Sequence, residues 1–111
     1  MAVMNDIKSY TSVQKWITNV NRYYNLSDEE WVGRLQILVD FCQSEDKNPD
    51  TMIAEALAEK SDKIDYMRHL KKFVKAQNAN PRIAHDLENV VRSFFIHNGA
   101  RVVVRPYADS V

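Results

Sequence analysis

The 111-residue chain is predicted to fold as an all-α protein, a compact bundle of four to five helices with an extended C-terminal tail. Three observations point there. Apolar residues recur at steps of three and four along most of the chain, the spacing that gives a helix one apolar side. Helix-capping residues stand just ahead of these patterns: Ser27, Asn48 before Pro49, and Asn80 before Pro81. Two glycines and three prolines are too few for a turn-rich β fold. With 45% apolar residues the chain can bury the modest core of one domain. Residues 1–100 are assigned to that helical domain and residues 101–111 to an exit segment.

The first helix is expected from Ser9 or Ser12 to Tyr23. Tyr10, Val13, Ile17 and Val20 step along one side with Trp16 beside them, a core stripe. Ser27-Asp28-Glu29-Glu30 then reads as a capping box, in which Ser27 and Glu30 each accept the other's backbone N–H. The second helix follows to about Gln43 and buries Trp31, Leu35, Leu38, Val39 and Cys42. Gly33 in its interior costs about 1 kcal/mol against alanine. Close approach of another helix explains it best, with a backbone ligand as the alternative.

Asn48 caps a short third helix over roughly residues 49–59, with Met52, Ile53, Ala56 and Leu57 inward. Ser61 or Asp62 caps a fourth, reaching about Asn78, with Ile64, Met67, Leu70, Phe73 and Val74 inward. Its other face is basic, carrying Lys63, Arg68, Lys71, Lys72 and Lys75, of which Arg68, Lys72 and Lys75 share a side. Such a face serves either as a solvated surface or as an anion-binding one. The last helix runs from Asn80 to Gly99 and organises the rest. Ile83, Leu87, Val90, Val91, Phe94 and Phe95 form its apolar stripe, and Arg82, His85, Asn89 and Arg92 a polar face. Beyond Gly99, three consecutive valines favour extended chain and Pro106 ends any helix.

The net charge is zero, which by itself speaks against a nucleic-acid binder. Its distribution says more. Residues 1–62 hold 6 Lys/Arg against 11 Asp/Glu, a net of −5, and residues 63–111 hold 9 against 4, a net of +5. Such asymmetry gives a field with a basic and an acidic side. The lone cysteine, Cys42, cannot form an internal disulfide and fits the reducing cytoplasm. No apolar run approaches the roughly 20 residues that span a bilayer, so no membrane partner is expected.

Catalytic chemistry is not indicated. Two isolated glycines make no phosphate loop, and one cysteine makes no zinc site. His69, His85 and His97 stand 16 and 12 residues apart, too far along the chain to share a helix face as ligands. No catalytic residue, metal or cofactor is assigned.

The order of elements resembles the N-terminal core-binding, SAM-like domain of tyrosine recombinases (phage-type integrases), archaeal members in particular. The resemblance covers about residues 10 to 105. WVGRLQILVDFCQ looks like the family's helix that ends in FC or FL. KNPDTMIAEAL resembles its loop and short helix of type "pro-asp-x-leu-ile". NPRIAHDLENVVRSFFIHNG is similar to its closing helix, which reads "arg-ser-phe-phe" and then "asn-gly". RVVVRP resembles the strand-like exit towards the catalytic domain. Each motif is ordinary helix grammar, and their order and spacing carry the likeness.

The resemblance implies a module of a site-specific recombinase that clamps double-stranded DNA opposite a separate catalytic domain. Its partners would be recombination-site DNA, the catalytic domain of the same full-length protein and other recombinase protomers on DNA. Carried over by position, Arg92 matches the arginine of "arg-ser-phe-phe". Arg82 and His85 occupy the start of that helix, and Arg34 lies near the basic positions of the second. Arginine suits phosphate or guanine because its planar fork donates twice. Arg68, Lys71, Lys72 and Lys75 would add phosphate contacts, and Asn89 an adenine edge. The acidic start SDEEW departs from the family and would repel phosphates. Arg92 has an alternative partner in Glu88, four residues earlier. The competing function is a helical protein–protein interaction module without DNA affinity.

Overall fold

The computed structural model describes residues 4–58 and 65–100. Ser61, Asp62, Lys63, Ile64 and the exit segment, on which several expectations fall, lie outside those residues.

Six helices follow one another among the described residues: α1 (Met4–Ile7), α2 (Thr11–Tyr23), α3 (Asp28–Glu45), α4 (Pro49–Ala56), α5 (Tyr66–Ala76) and α6 (Pro81–His97). No strand accompanies them among the described residues. The one-turn α1 is an addition to the sequence-based reading. Its Ile7 is fully buried, and the turn packs on α3. The radius of gyration is 13.6 Å, close to the roughly 13 Å of a folded chain of about 100 residues.

Local chemistry sets most boundaries. The capping box is present in both directions: Ser27 Oγ accepts Glu30 N–H at 3.1 Å, and Glu30 Oε1 accepts Ser27 N–H at 2.9 Å. Asn48 Oδ1 accepts Thr51 N–H at 2.8 Å, and Asn80 Oδ1 accepts Ile83 N–H at 2.9 Å. In both helices the next residue is the N-terminal proline. Helix α5 is capped by Asp65, which accepts Arg68 N–H at 3.3 Å. Gly99 follows α6 with φ +84°, a conformation open to glycine at little cost.

Several expectations need correcting. Helix α3 continues two residues past Gln43 and stops where Asp46 turns left-handed. Helix α5 ends at Ala76, two residues before Asn78, which has φ +53°. Helix α4 ends at Ala56, and Leu57, its C-cap, still donates its N–H to the Ile53 carbonyl at 3.0 Å but is 52% exposed instead of facing inward. Ile83, assigned to the apolar stripe of α6, is 48% exposed, because the first turn of that helix lies beyond its neighbours' cover. Gly33 is not a close-packing site: a Cβ placed there would meet nothing within 4 Å.

Helix α6 is the hub. It packs on α2, α3 and α5, while α4 packs on α2. Val90, Val91, Phe94 and Phe95 bury its inner side. The core around them is aromatic. Trp16 stands edge-on to Trp31 and to Phe94, at 5.2 and 5.6 Å between centroids. Phe41 meets Phe73 at 5.3 Å, and Tyr66 stacks on Phe95 at 5.2 Å. Such pairs add about 0.5–1.5 kcal/mol each beyond burial. The C-terminal end of α6 is tied to α2 by amides. Buried Asn98 donates from Nδ2 to the carbonyls of Ser12 (3.0 Å) and Phe94 (2.9 Å), and Asn19 donates to the carbonyl of His97 at 3.1 Å.

Candidate nucleic-acid interface

Helix α5 is the most strongly two-sided helix. Tyr66, Leu70 and Phe73 are buried, and Arg68, Lys71, Lys72 and Lys75 are all exposed. The division follows from the sequence: apolar residues at 66, 70 and 73 leave 68, 71, 72 and 75 on the opposite side of a 3.6-residue helix. Arg68 has one carboxylate near it, with Nε 4.0 Å from Asp65 Oδ2, and its side chain is 79% exposed. Among the described residues no ion pair engages Lys71, Lys72 or Lys75, so their charges face solvent.

Helix α6 places Arg82, His85 and Asn89 on its exposed side. Arg92 lies at the edge of that side and is half-buried, with Nη1 4.0 Å from Glu88 Oε1. The expected intrahelical pair thus exists only at the outer limit of contact, longer than a hydrogen bond. Arg92 Nε is buried without a partner. Arg34, on α3, is partly buried and adds a small share to the lowering of the Glu30 carboxyl, which Ser27 chiefly causes.

The nine positions therefore fall into three groups: four on α5, four on α6 and Arg34 alone on α3. The first two helices pack directly on each other and are joined by residues 77–80. Among the described residues no hydrogen bond or ion pair links the groups to one another. The acidic start of α3 is exposed. Glu30 is held anionic chiefly by the backbone N–H of Ser27 and then by its hydroxyl, so this end repels phosphate.

Two polar ties seat α5 and escaped sequence reasoning. His69 Nδ1 lies 2.6 Å from Glu45 Oε1, joining α5 to the end of α3. Tyr66 donates its hydroxyl to Glu55 Oε1 at 2.5 Å, and Lys47 Nζ reaches the same oxygen at 2.8 Å. Glu55 is accordingly held below the usual carboxylate range, first by Lys47 and then by Tyr66. Burial, followed by the Glu55 hydrogen bond, pushes the Tyr66 phenol above its ordinary range. The spacing of Tyr66, His69 and Phe73 does mark a side of α5, but their partners come from distant positions. Ser93 was also missed. Its Oγ accepts the indole N–H of Trp16 at 3.0 Å, and it adjoins Arg92 in RSFF.

Cys42 is buried, and desolvation, aided by nearby Glu45, raises its thiol to about 12. It is a core residue and a poor nucleophile. Among the described residues no group of three or more His, Cys, Asp or Glu side chains is placed to hold a metal ion. Likewise, no helix there is long and apolar enough to cross a membrane.

No protein-family model, curated protein or solved structure matches this chain.

Proposed function

We propose that this chain is a DNA-binding module of a site-specific tyrosine recombinase, clamping recombination-site DNA opposite a separate catalytic domain. The observation that carries this reading is the solvent face of α5. Four cations occupy one side of an eleven-residue helix, and among the described residues only Arg68 has a carboxylate within 4 Å. A row of this kind suits phosphates, whose contacts position a protein on the duplex without reading sequence. Helix α6, packed against α5, would add Arg82, His85, Asn89 and Arg92, the side chains able to address base edges or further phosphates. The order of motifs, from the capped second helix to RSFF and the terminal Asn-Gly, supports the recombinase assignment. The catalytic domain and neighbouring protomers are its partners in that reading, and the chemistry of strand cleavage belongs to the catalytic domain.

The test is a titration of the protein into a labelled duplex at low salt, repeated with Lys72→Glu and Arg92→Glu. The expected result is binding that weakens in both variants and fades with added salt. Unchanged binding in both would discard the α5–α6 face. A second reading, a protein-interaction module, draws on Tyr23 and Tyr24, which are 72% and 66% exposed at the end of α2. Exposed aromatics are enriched at protein interfaces. That reading expects association insensitive to salt and no affinity for DNA.

A further inference from the structure

Asn89, Arg92, Ser93, Ile96 and His97 line a shallow depression on the outer side of α6, next to α2. All four polar side chains carry N–H or O–H donors, and the lining contains no carboxylate.

One of these donors, Ser93, is held in place by the core. Ser93 Oγ receives the indole N–H of Trp16, a fully buried residue. That N–H takes one of the two acceptor positions of the hydroxyl, whose own hydrogen has no acceptor among the described residues. Arg92 is half-buried and adjoins Ser93 in the chain. Its Nε lacks a partner, and the Glu88 carboxylate stands 4.0 Å from Nη1. A buried guanidinium N–H without a partner costs on the order of 1–3 kcal/mol, more where the group is charged. His97 is fixed by its backbone, whose carbonyl accepts from Asn19. Asn89 completes the set from one turn earlier. A concavity of donors around one positive charge, with no carboxylate in its lining, fits a compact oxyanion.

We infer that this depression is an oxyanion site that takes one phosphate group. Arg92 supplies the charge, and Ser93 and Asn89 donate neutral hydrogen bonds. Its placement within the proposed DNA-binding face rests on that functional reading. The binding chemistry does not, because a free phosphate and a backbone phosphate present the same oxygens.

The test uses the full chain, 15N-labelled, with inorganic phosphate as probe. Trp16 is the built-in reporter, since a ligand on Ser93 perturbs the oxygen that its indole N–H donates to. Trp31, whose indole donates to Asn21 Oδ1 at 3.1 Å, is the internal control. Saturable shifts of the Trp16 indole and Arg92 Nε–H signals are expected, with Trp31 unmoved. Arg92→Gln should weaken the response by about tenfold or more, as expected for loss of a charge-assisted bond. Arg92 also packs, so Asn89→Asp provides a second variant at an exposed helical position. It places a carboxylate in the depression and should abolish the response with the spectrum otherwise retained. A silent Trp16, shifts confined to the α5 lysines, or an unaltered response in Asn89→Asp would each overturn the site.

A short duplex separates the sources of the phosphate. Movement of the same signals at lower concentration assigns the site to a DNA phosphate. Phosphate binding with no duplex binding anywhere keeps the site and removes the DNA reading. A Trp16 response to an acidic peptide in the absence of any response to phosphate overturns the proposal in favour of a protein carboxylate.

Discussion

The carboxylate of Asp50 accepts the backbone N–H of Ser12 at 2.9 Å, so helix α2 is capped by a residue 38 positions away. The N-cap of α2 itself, Tyr10, makes no side-chain capping bond. Asp50 sits in the first turn of α4 and so joins the starts of two helices. Replacing a capping side chain by alanine costs about 1 kcal/mol. Asp50→Ala should therefore lower stability by about 1 kcal/mol, read as a fall in the urea midpoint at an unchanged slope. Asp50→Asn, which keeps an acceptor oxygen, should recover much of the loss. If both variants matched the parent, Asp50 would have no capping role in solution.

Glu55 predicts a particular dependence on pH. Lys47 and Tyr66 hold its carboxyl below the ordinary value of 4.5. A carboxylate depressed in the folded state contributes stability above its unfolded pKa and loses it as pH falls through the folded one. Glu55→Gln should therefore be less stable than the parent at pH 6, with the gap closing as pH falls below 4.5. Denaturant midpoints at pH 6, 4.5 and 3 would show this convergence. Glu30, also depressed, adds to the acid sensitivity of both proteins and does not alter the difference between them. A gap that stayed constant with pH would mean that the Glu55 contacts are not ionic.

The limits of reading this fold from sequence follow the range of each interaction. Ser27, Asn48 and Asn80 were legible because a cap acts on a backbone N–H three residues ahead. The basic face of α5 was legible for a similar reason, since its residues and their apolar counterparts lie within a few turns. The partnership of Asp50 with Ser12 was not, and neither was that of His69 with Glu45, because nothing local records which helices will meet. Periodicity placed Leu57 and Ile83 on the inner side of their helices. It carries no information on where a helix stops or where its neighbours end, and both residues are about half exposed. Ile7 was missed because a four-residue helix shows no period. On α6, the pairing of Arg92 with Glu88 was visible as an i−4 spacing. The bond from Trp16 to Ser93, 77 residues apart, was not.

Gly33 stands at an open position of α3. The residue lies inside α3, and a Cβ there would meet no atom within 4 Å. Alanine is favoured over glycine in a helix by up to about 1 kcal/mol, largely because glycine leaves the unfolded chain more freedom. Gly33→Ala should thus stabilise the protein by about 0.5–1 kcal/mol and raise its melting temperature by a few degrees. Destabilisation would restore the close-approach explanation.

Lys72 offers a quantitative test of the proposed DNA face. For duplex DNA, the slope of log affinity against log salt is about −0.9 per phosphate neutralised. If Lys72 meets one phosphate, Lys72→Ala should make that slope shallower by about 1 and weaken binding about equally across duplex sequences. Lys15 provides the comparison. It is also exposed, but it lies on α2, in the acidic part of the chain. Lys15→Ala removes the same net charge and should leave the slope nearly unchanged. Equal changes from both substitutions would indicate a response to total charge, and the α5 face would then have no special standing. A changed slope for Lys72 alone would tie the counterion release to that side chain's own position.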